Sequence, residues 1–177
     1  MPTATPRGDC RNRWPWLALN ICSAFIASRV IGAFEGTIQS LVALAALMPI
    51  VSGIGGNTGT QTTTLIIRGL ALGQINPSNT RMLLVKELCI ALINGTMWGS
   101  VLGLMAWALY GQWSLGLVMT GAMMLNMLVA ALVGLFVPLT MQQFGRDPAY
   151  GSSVLITALT DSLGFFIFLG LATVFLI

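Results

Sequence analysis

The sequence predicts an all-α membrane protein with five transmembrane helices. Three observations lead there. Hydrophobic residues fill 56% of the 177 positions and charged residues only 7%, whereas a soluble domain carries about 25% charge. The mean hydropathy is +0.87. The apolar residues also come in runs long enough to span a bilayer, roughly 20 helical residues each. Short alternating segments of the barrel type are not seen. Inside lipid the backbone must satisfy its own hydrogen bonds, which makes these runs helices.

Residues 1–14, with Pro2, Pro6, Gly8 and three arginines, read as a short cytoplasmic tail, and 15–177 as the transmembrane domain. The first span covers about 15–34. Its basic start and apolar run 17–30 mimic a signal peptide, but Arg29 and Glu35 interrupt and no small-residue cleavage site is convincing, so the span is retained. A tight connection at Glu35 and Gly36 leads to the second span, 38–67, which Pro49 is expected to bend. Residues 69–79 form a loop with an Asn76-Pro77 turn signal. The third span is 82–110, followed by a turn at 111–114. The fourth is 115–144, with a kink expected at Pro138, and Gly145 to Tyr150 make a turn. The fifth is 152–177.

Orientation follows from positive charge. With the N-terminus cytoplasmic, Arg7, Arg11, Arg13, Arg68, Arg81, Lys86 and Arg146 all fall on the cytoplasmic side, leaving only Arg29 elsewhere. The C-terminus is then expected outside, and the membrane is the cell's inner (plasma) membrane. Trp14, Trp16, Tyr110 and Trp113 sit at span ends, where aromatic belts belong. No internal repeat is evident, and an odd number of spans cannot form two equal inverted halves. A central pathway is therefore expected from two copies around a two-fold axis.

Several function classes are excluded by composition. The net charge of +3 comes with no basic patch interleaved with aromatics, so no nucleic-acid partner is expected. Cys10, Cys22 and Cys89 are too far apart for a zinc spacing. Histidine is absent, which removes His-based triads, haem ligation and His-containing metal sites. There is no G-x-x-x-x-G-K motif for ATP. An intramembrane aspartyl protease needs two paired carboxylates, and only Asp161 lies deep in a span, so an enzyme is not expected.

Asp161 is the main candidate residue. A carboxylate near mid-membrane costs at least a few kcal/mol on insertion scales and is functional by default. Ser153, Thr157 and Asp161 fall at i, i+4 and i+8, one polar stripe on the last span, with Gly164 on roughly the same side. The stripe either faces a watery cation path or holds a protonated Asp bonded between helices. The second span carries another stripe, Asn57, Thr60, Gln61, Thr64 and Arg68, beside Gly53, Gly55, Gly56 and Gly59. Those glycines either let helices pack closely or expose carbonyls to a pore. Glu35 at the outer end of the first span is either a cation-attracting mouth, a solvated cap or a partner for Arg29. Glu87 reads as a cytoplasmic-face surface charge. Asn94 and Asn126 read as interhelical hydrogen bonders, and the ten methionines as apolar filler. Carboxylate, hydroxyl, amide and carbonyl are hard donors suited to Mg, Ca or Mn. Two symmetry-related carboxylates could hold magnesium through its waters without stripping it.

The run 49–73, PIVSGIGGNTGTQTTTLIIRGLALG, closely resembles the second-span signature of the MgtE family of magnesium channels. AFEGTI at 33–38 and DPAYGSSVLITALTDSLGFFIFLGLA at 147–172 agree with it. The resemblance runs from about residue 14 to 177. It implies five membrane helices, a homodimer, and a pore between protomers lined by the second and fifth helices. It places Asp161 at the family's central magnesium-binding aspartate. Ser153, Thr157 and the Gly55-Gly56-Asn57 stretch would line or narrow the path, and Glu35 matches an acidic position of the first span. Magnesium is the transported ion and no cofactor is implied. Family members typically carry a cytosolic N domain and a CBS pair, for which about 14 leading residues leave no room. The sequence is then a fragment or a short form, the starting methionine leaning to the latter. The expected activity is channel-like magnesium transport. The alternatives are a proton- or sodium-coupled carrier and a non-conducting subunit of a larger complex.

Overall fold

The computed structural model describes residues 6–75, 79–149 and 151–177, with side chains from Trp14 onward. The Asn76-Pro77 turn, Tyr150 and the side chains of Arg7, Cys10, Arg11 and Arg13 lie outside the described residues. The described residues form six helices: α1 (Pro6–Ala33), α2 (Glu35–Ser40), α3 (Ala43–Ala71), α4 (Thr80–Tyr110), α5 (Trp113–Gln143) and α6 (Ser152–Leu176).

Four of these helices are long and apolar enough to cross a membrane: α1 from Trp14, α4, α5 and α6. The expected second span, α3, is not among the four. Its 29 residues would reach about 43 Å at ~1.5 Å per residue. Its middle, however, is a run of Asn, Thr and Gln broken only by Gly59, from Asn57 to Thr64.

Two helix limits differ from the sequence reading. α1 begins at Pro6, inside the stretch expected to be a tail. Proline suits a first helical position because its missing N–H has no intrahelical partner there. The second difference is α2, which separates the first long helix from α3. Leu41, at φ −140° and ψ 87°, leaves the helical region. Two contacts hold this piece to α6. The hydroxyls of Thr37 and Thr173 share a 2.8 Å hydrogen bond, and the Phe34 and Phe166 rings meet edge to face at 5.8 Å. Anchored sideways, the chain must turn before α3 starts at Ala43 rather than run on from Ile38.

α5 is the central helix and packs against α3, α4 and α6; α3 also packs on α6, and α1 leans on α6. The core on both sides of α5 includes Leu44, Leu47, Val51, Met119, Met123, Met127 and Phe168. A helix apolar all round belongs in such a place. The contacts also set direction. Trp16 lies against Gly151 and Phe34 against Phe166, so α1 and α6 run the same way. α3 runs opposite to α6, since residues 52, 56 and 59 meet 161, 160 and 156 in turn.

The α4–α5 hairpin turns at Gly111, whose φ of +70° is a left-handed helix cap suited to glycine. Its seam is a glycine line, Gly95, Gly99 and Gly103, all buried. A Cβ on Gly103 would stand 2.5 Å from the Gly116 carbonyl oxygen. Backbone cannot yield there as a flexible side chain could, so Gly103→Ala should destabilise the fold by about 1–3 kcal/mol. The check is a lower thermal midpoint in detergent, with Gly53→Ala, whose added methyl meets nothing within 4 Å, as the comparison.

Candidate functional site

α3 and α6 meet closely because small residues line their seam. A Cβ on Gly59 would be 2.7 Å from Ile156 Cγ2, and one on Gly56 would be 3.7 Å from Thr160 Oγ1. At one end of this seam Ser52 Oγ donates a hydrogen bond of 2.5 Å to Asp161 Oδ1. Asp161 is half-buried, and Thr157 and Ser153, one and two turns back along α6, are exposed. Thr160, on the inner side, is fully buried and donates to the Ile156 carbonyl at 2.9 Å.

The outer side of α3 continues this open polar face. Gly53, Asn57, Thr60, Gln61, Thr64 and Arg68 all lie at least partly open on it. Thr60 donates to the Gly56 carbonyl at 2.9 Å and Thr64 to the Thr60 carbonyl at 2.8 Å, so these hydroxyls are satisfied by their own helix. The amides of Asn57 and Gln61 stand on this side, where hydrocarbon could offer them no hydrogen bond. Inward, Thr62 and Thr63 are buried, and Thr63 donates to the Gly134 carbonyl of α5 at 2.9 Å.

Not every expected path residue joins this face. Gly55 is buried against the Asn126 side chain of α5, and Gly59 packs on α6. Gly55 therefore serves helix packing in this chain and not the open side; the Gly55–Gly59 spacing marks the inner face. Gly56 is half-buried at the α6 seam. Glu35 is exposed and accepts a 3.1 Å hydrogen bond from Gln39 Nε2. It opens the short helix whose Thr37 bonds Thr173, twelve residues along α6 from Asp161, or about 18 Å. Glu87, expected on the surface, is buried and accepts a 3.2 Å hydrogen bond from Thr62 Oγ1. A carboxylate leaves water more readily when a hydroxyl donor replaces part of its hydration.

Sequence reasoning missed Ser52, whose hydroxyl falls outside the polar stripe beside it. Its separation from Asp161, 109 positions along the chain, left no local signal. Among the described residues no three His, Cys, Asp or Glu side chains gather. A cation at this face would meet one carboxylate from the chain, together with hydroxyls and amides.

The MgtE family model, described as a divalent cation transporter, matches residues 48–171. This chain belongs to the MgtE family. It is 33% identical over 164 residues to the magnesium transporter MgtE of Bacillus subtilis, covering 93% of this chain and 36% of that protein. It is 33% identical over 162 residues to the magnesium transporter MgtE of Thermus thermophilus, covering 91% and 36%. The magnesium transporter MgtE of Enterococcus faecalis is 30% identical over 175 residues, covering 97% and 38%. The chain thus spans little more than a third of the length of these relatives. The MgtE match opens in α3, just ahead of Ser52, and ends in α6, so it takes in both partners of the Ser52–Asp161 bond.

Proposed function

We propose that this chain transports magnesium across the plasma membrane by a channel-like path between two copies of itself. The observation that carries the reading is the open polar face: Asp161, Thr157 and Ser153 of α6 beside Asn57, Thr60 and Gln61 of α3. A face of this kind is stable in a bilayer only against water or another polar surface. A second copy across a two-fold axis supplies the opposite wall. It also brings a second Asp161, and two carboxylates balance the double charge of one hydrated ion. Hard oxygen ligands and retained waters suit magnesium, which the relatives' names also favour. α3 serves as the second of five spans, its inner side covered by α5 and α6 and its open polar side on the path. The N-terminus is cytoplasmic and the C-terminus outside. Glu35 at the outer end of α6 draws cations toward the mouth.

The membrane potential suffices as the driving force. Two charges moving inward through 100 mV gain about 4.6 kcal/mol, from ~2.3 per charge. Purified protein in liposomes tests this. With the potential clamped negative inside, magnesium uptake is expected without any proton or sodium gradient. Uptake that demands such a gradient at fixed potential means a coupled carrier. No uptake, together with co-purification of a longer homologue, means a subunit that does not conduct.

A further inference from the structure

Asn126, on α5, is fully buried at the point where α3, α5 and α6 meet. Its Nδ2 donates a 2.7 Å hydrogen bond to the Val51 carbonyl of α3, while its Oδ1 has no partner among the described residues. Leaving a buried amide oxygen unpaired is unfavourable, and a leucine of similar size would avoid it. Two glycines make the space for the amide. A Cβ on Gly55 of α3 would overlap Nδ2 and stand 2.9 Å from Cγ, and a Cβ on Gly164 of α6 would be 3.1 Å from both Nδ2 and Oδ1. For each glycine, all three nearest atoms belong to Asn126.

The neighbours of these contacts matter. Val51 directly precedes Ser52, and Gly164 lies about one helical turn beyond Asp161. Both ends of the Ser52–Asp161 hydrogen bond are therefore fixed relative to one amide. We infer that Asn126 is a positioning residue for the ion site. It sets the height of α3 against α6, so that Ser52 holds one carboxylate oxygen of Asp161 and the other is left for the water shell of the ion. An aliphatic side chain would fill the same volume but could not fix that height through the Val51 carbonyl. The inference rests on the reading of Asp161 as the residue that holds the ion.

Double-mutant cycles on the purified chain test it, read by thermal midpoint and by magnesium uptake into liposomes. Ser52→Ala is expected to lower the midpoint in the wild-type background and to add little in an Asn126→Ala background. Asn126→Ala is expected to raise the half-saturating magnesium concentration about tenfold. Adding Gly55→Ala, whose methyl refills part of the vacated space, should recover the midpoint without recovering half-saturation. The inference is overturned if Ser52→Ala costs the same in both backgrounds, or if Gly55→Ala restores half-saturation along with the midpoint. If Asn126→Ala does not fold, Asn126→Leu takes its place in the Ser52 cycle. If the wild type takes up no magnesium, the proposed function falls, and the Ser52–Asn126 coupling alone decides whether the positioning exists.

Discussion

Asp161→Ala is expected to reduce magnesium uptake by about thirtyfold, with expression and oligomeric mass little changed and the thermal midpoint lowered no further than by Ser52→Ala, which breaks the same hydrogen bond. The size follows from losing about 2 kcal/mol of charge stabilisation at a half-exposed site, the low end of the range for removing one partner of a charged pair. Asp161→Asn sharpens the test. It keeps an oxygen that can accept the Ser52 hydroxyl but carries no charge. If charge holds the ion, Asp161→Asn falls as far as Asp161→Ala. If Asp161→Asn transports as well as the wild type, the carboxyl is only a hydrogen-bond acceptor between α3 and α6, and the path lies elsewhere.

Replacing Asn57 and Gln61 together by leucine should give the second large effect, a loss of uptake of about tenfold or more, the equivalent of ~1.4 kcal/mol. Both side chains lie on the outer side of α3, so the exchange removes no buried hydrogen bond. Were this face turned to lipid, the two leucines would stabilise the chain and leave uptake alone, because hydrocarbon accepts leucine more readily than amides. Were it the wall of a hydrated path, they would dry that wall and slow the ion. Uptake and thermal midpoint measured on the same preparation separate the two outcomes. Thr63→Val serves as an inward comparison, since it breaks the bond to the Gly134 carbonyl and should lower stability by about 1 kcal/mol.

The two stripes show how far periodicity reaches. Four-residue spacing puts Ser153, Thr157 and Asp161 on one side of a helix, and they share one side of α6. It likewise groups Asn57, Thr60, Gln61, Thr64 and Arg68, all on the outer side of α3. Spacing cannot say which way Gly55 faces, since small residues suit a pore wall and a helix seam equally. The Asn126 amide decides that. Glu87 escapes the sequence for a related reason: next to Lys86 it looks like a surface charge, and only the packing of the helices brings it against Thr62, 25 positions away. α2 is also hidden, because its sideways anchor to Thr173 is a contact across most of the chain.

Residue order alone was enough to read that the chain is helical, fit for a membrane and of the MgtE family, and which polar residues share a helix face. These properties are local: composition, apolar run length, the 3.6-residue period and a contiguous motif. Packing of the helices against one another set which glycines pack and which polar groups stay open, that Ser52 bonds Asp161, and that Asn126 ties α3 to α6. Those facts depend on contacts between helices distant along the chain, where a difference of one helical turn changes the partner, and no local pattern carries that information.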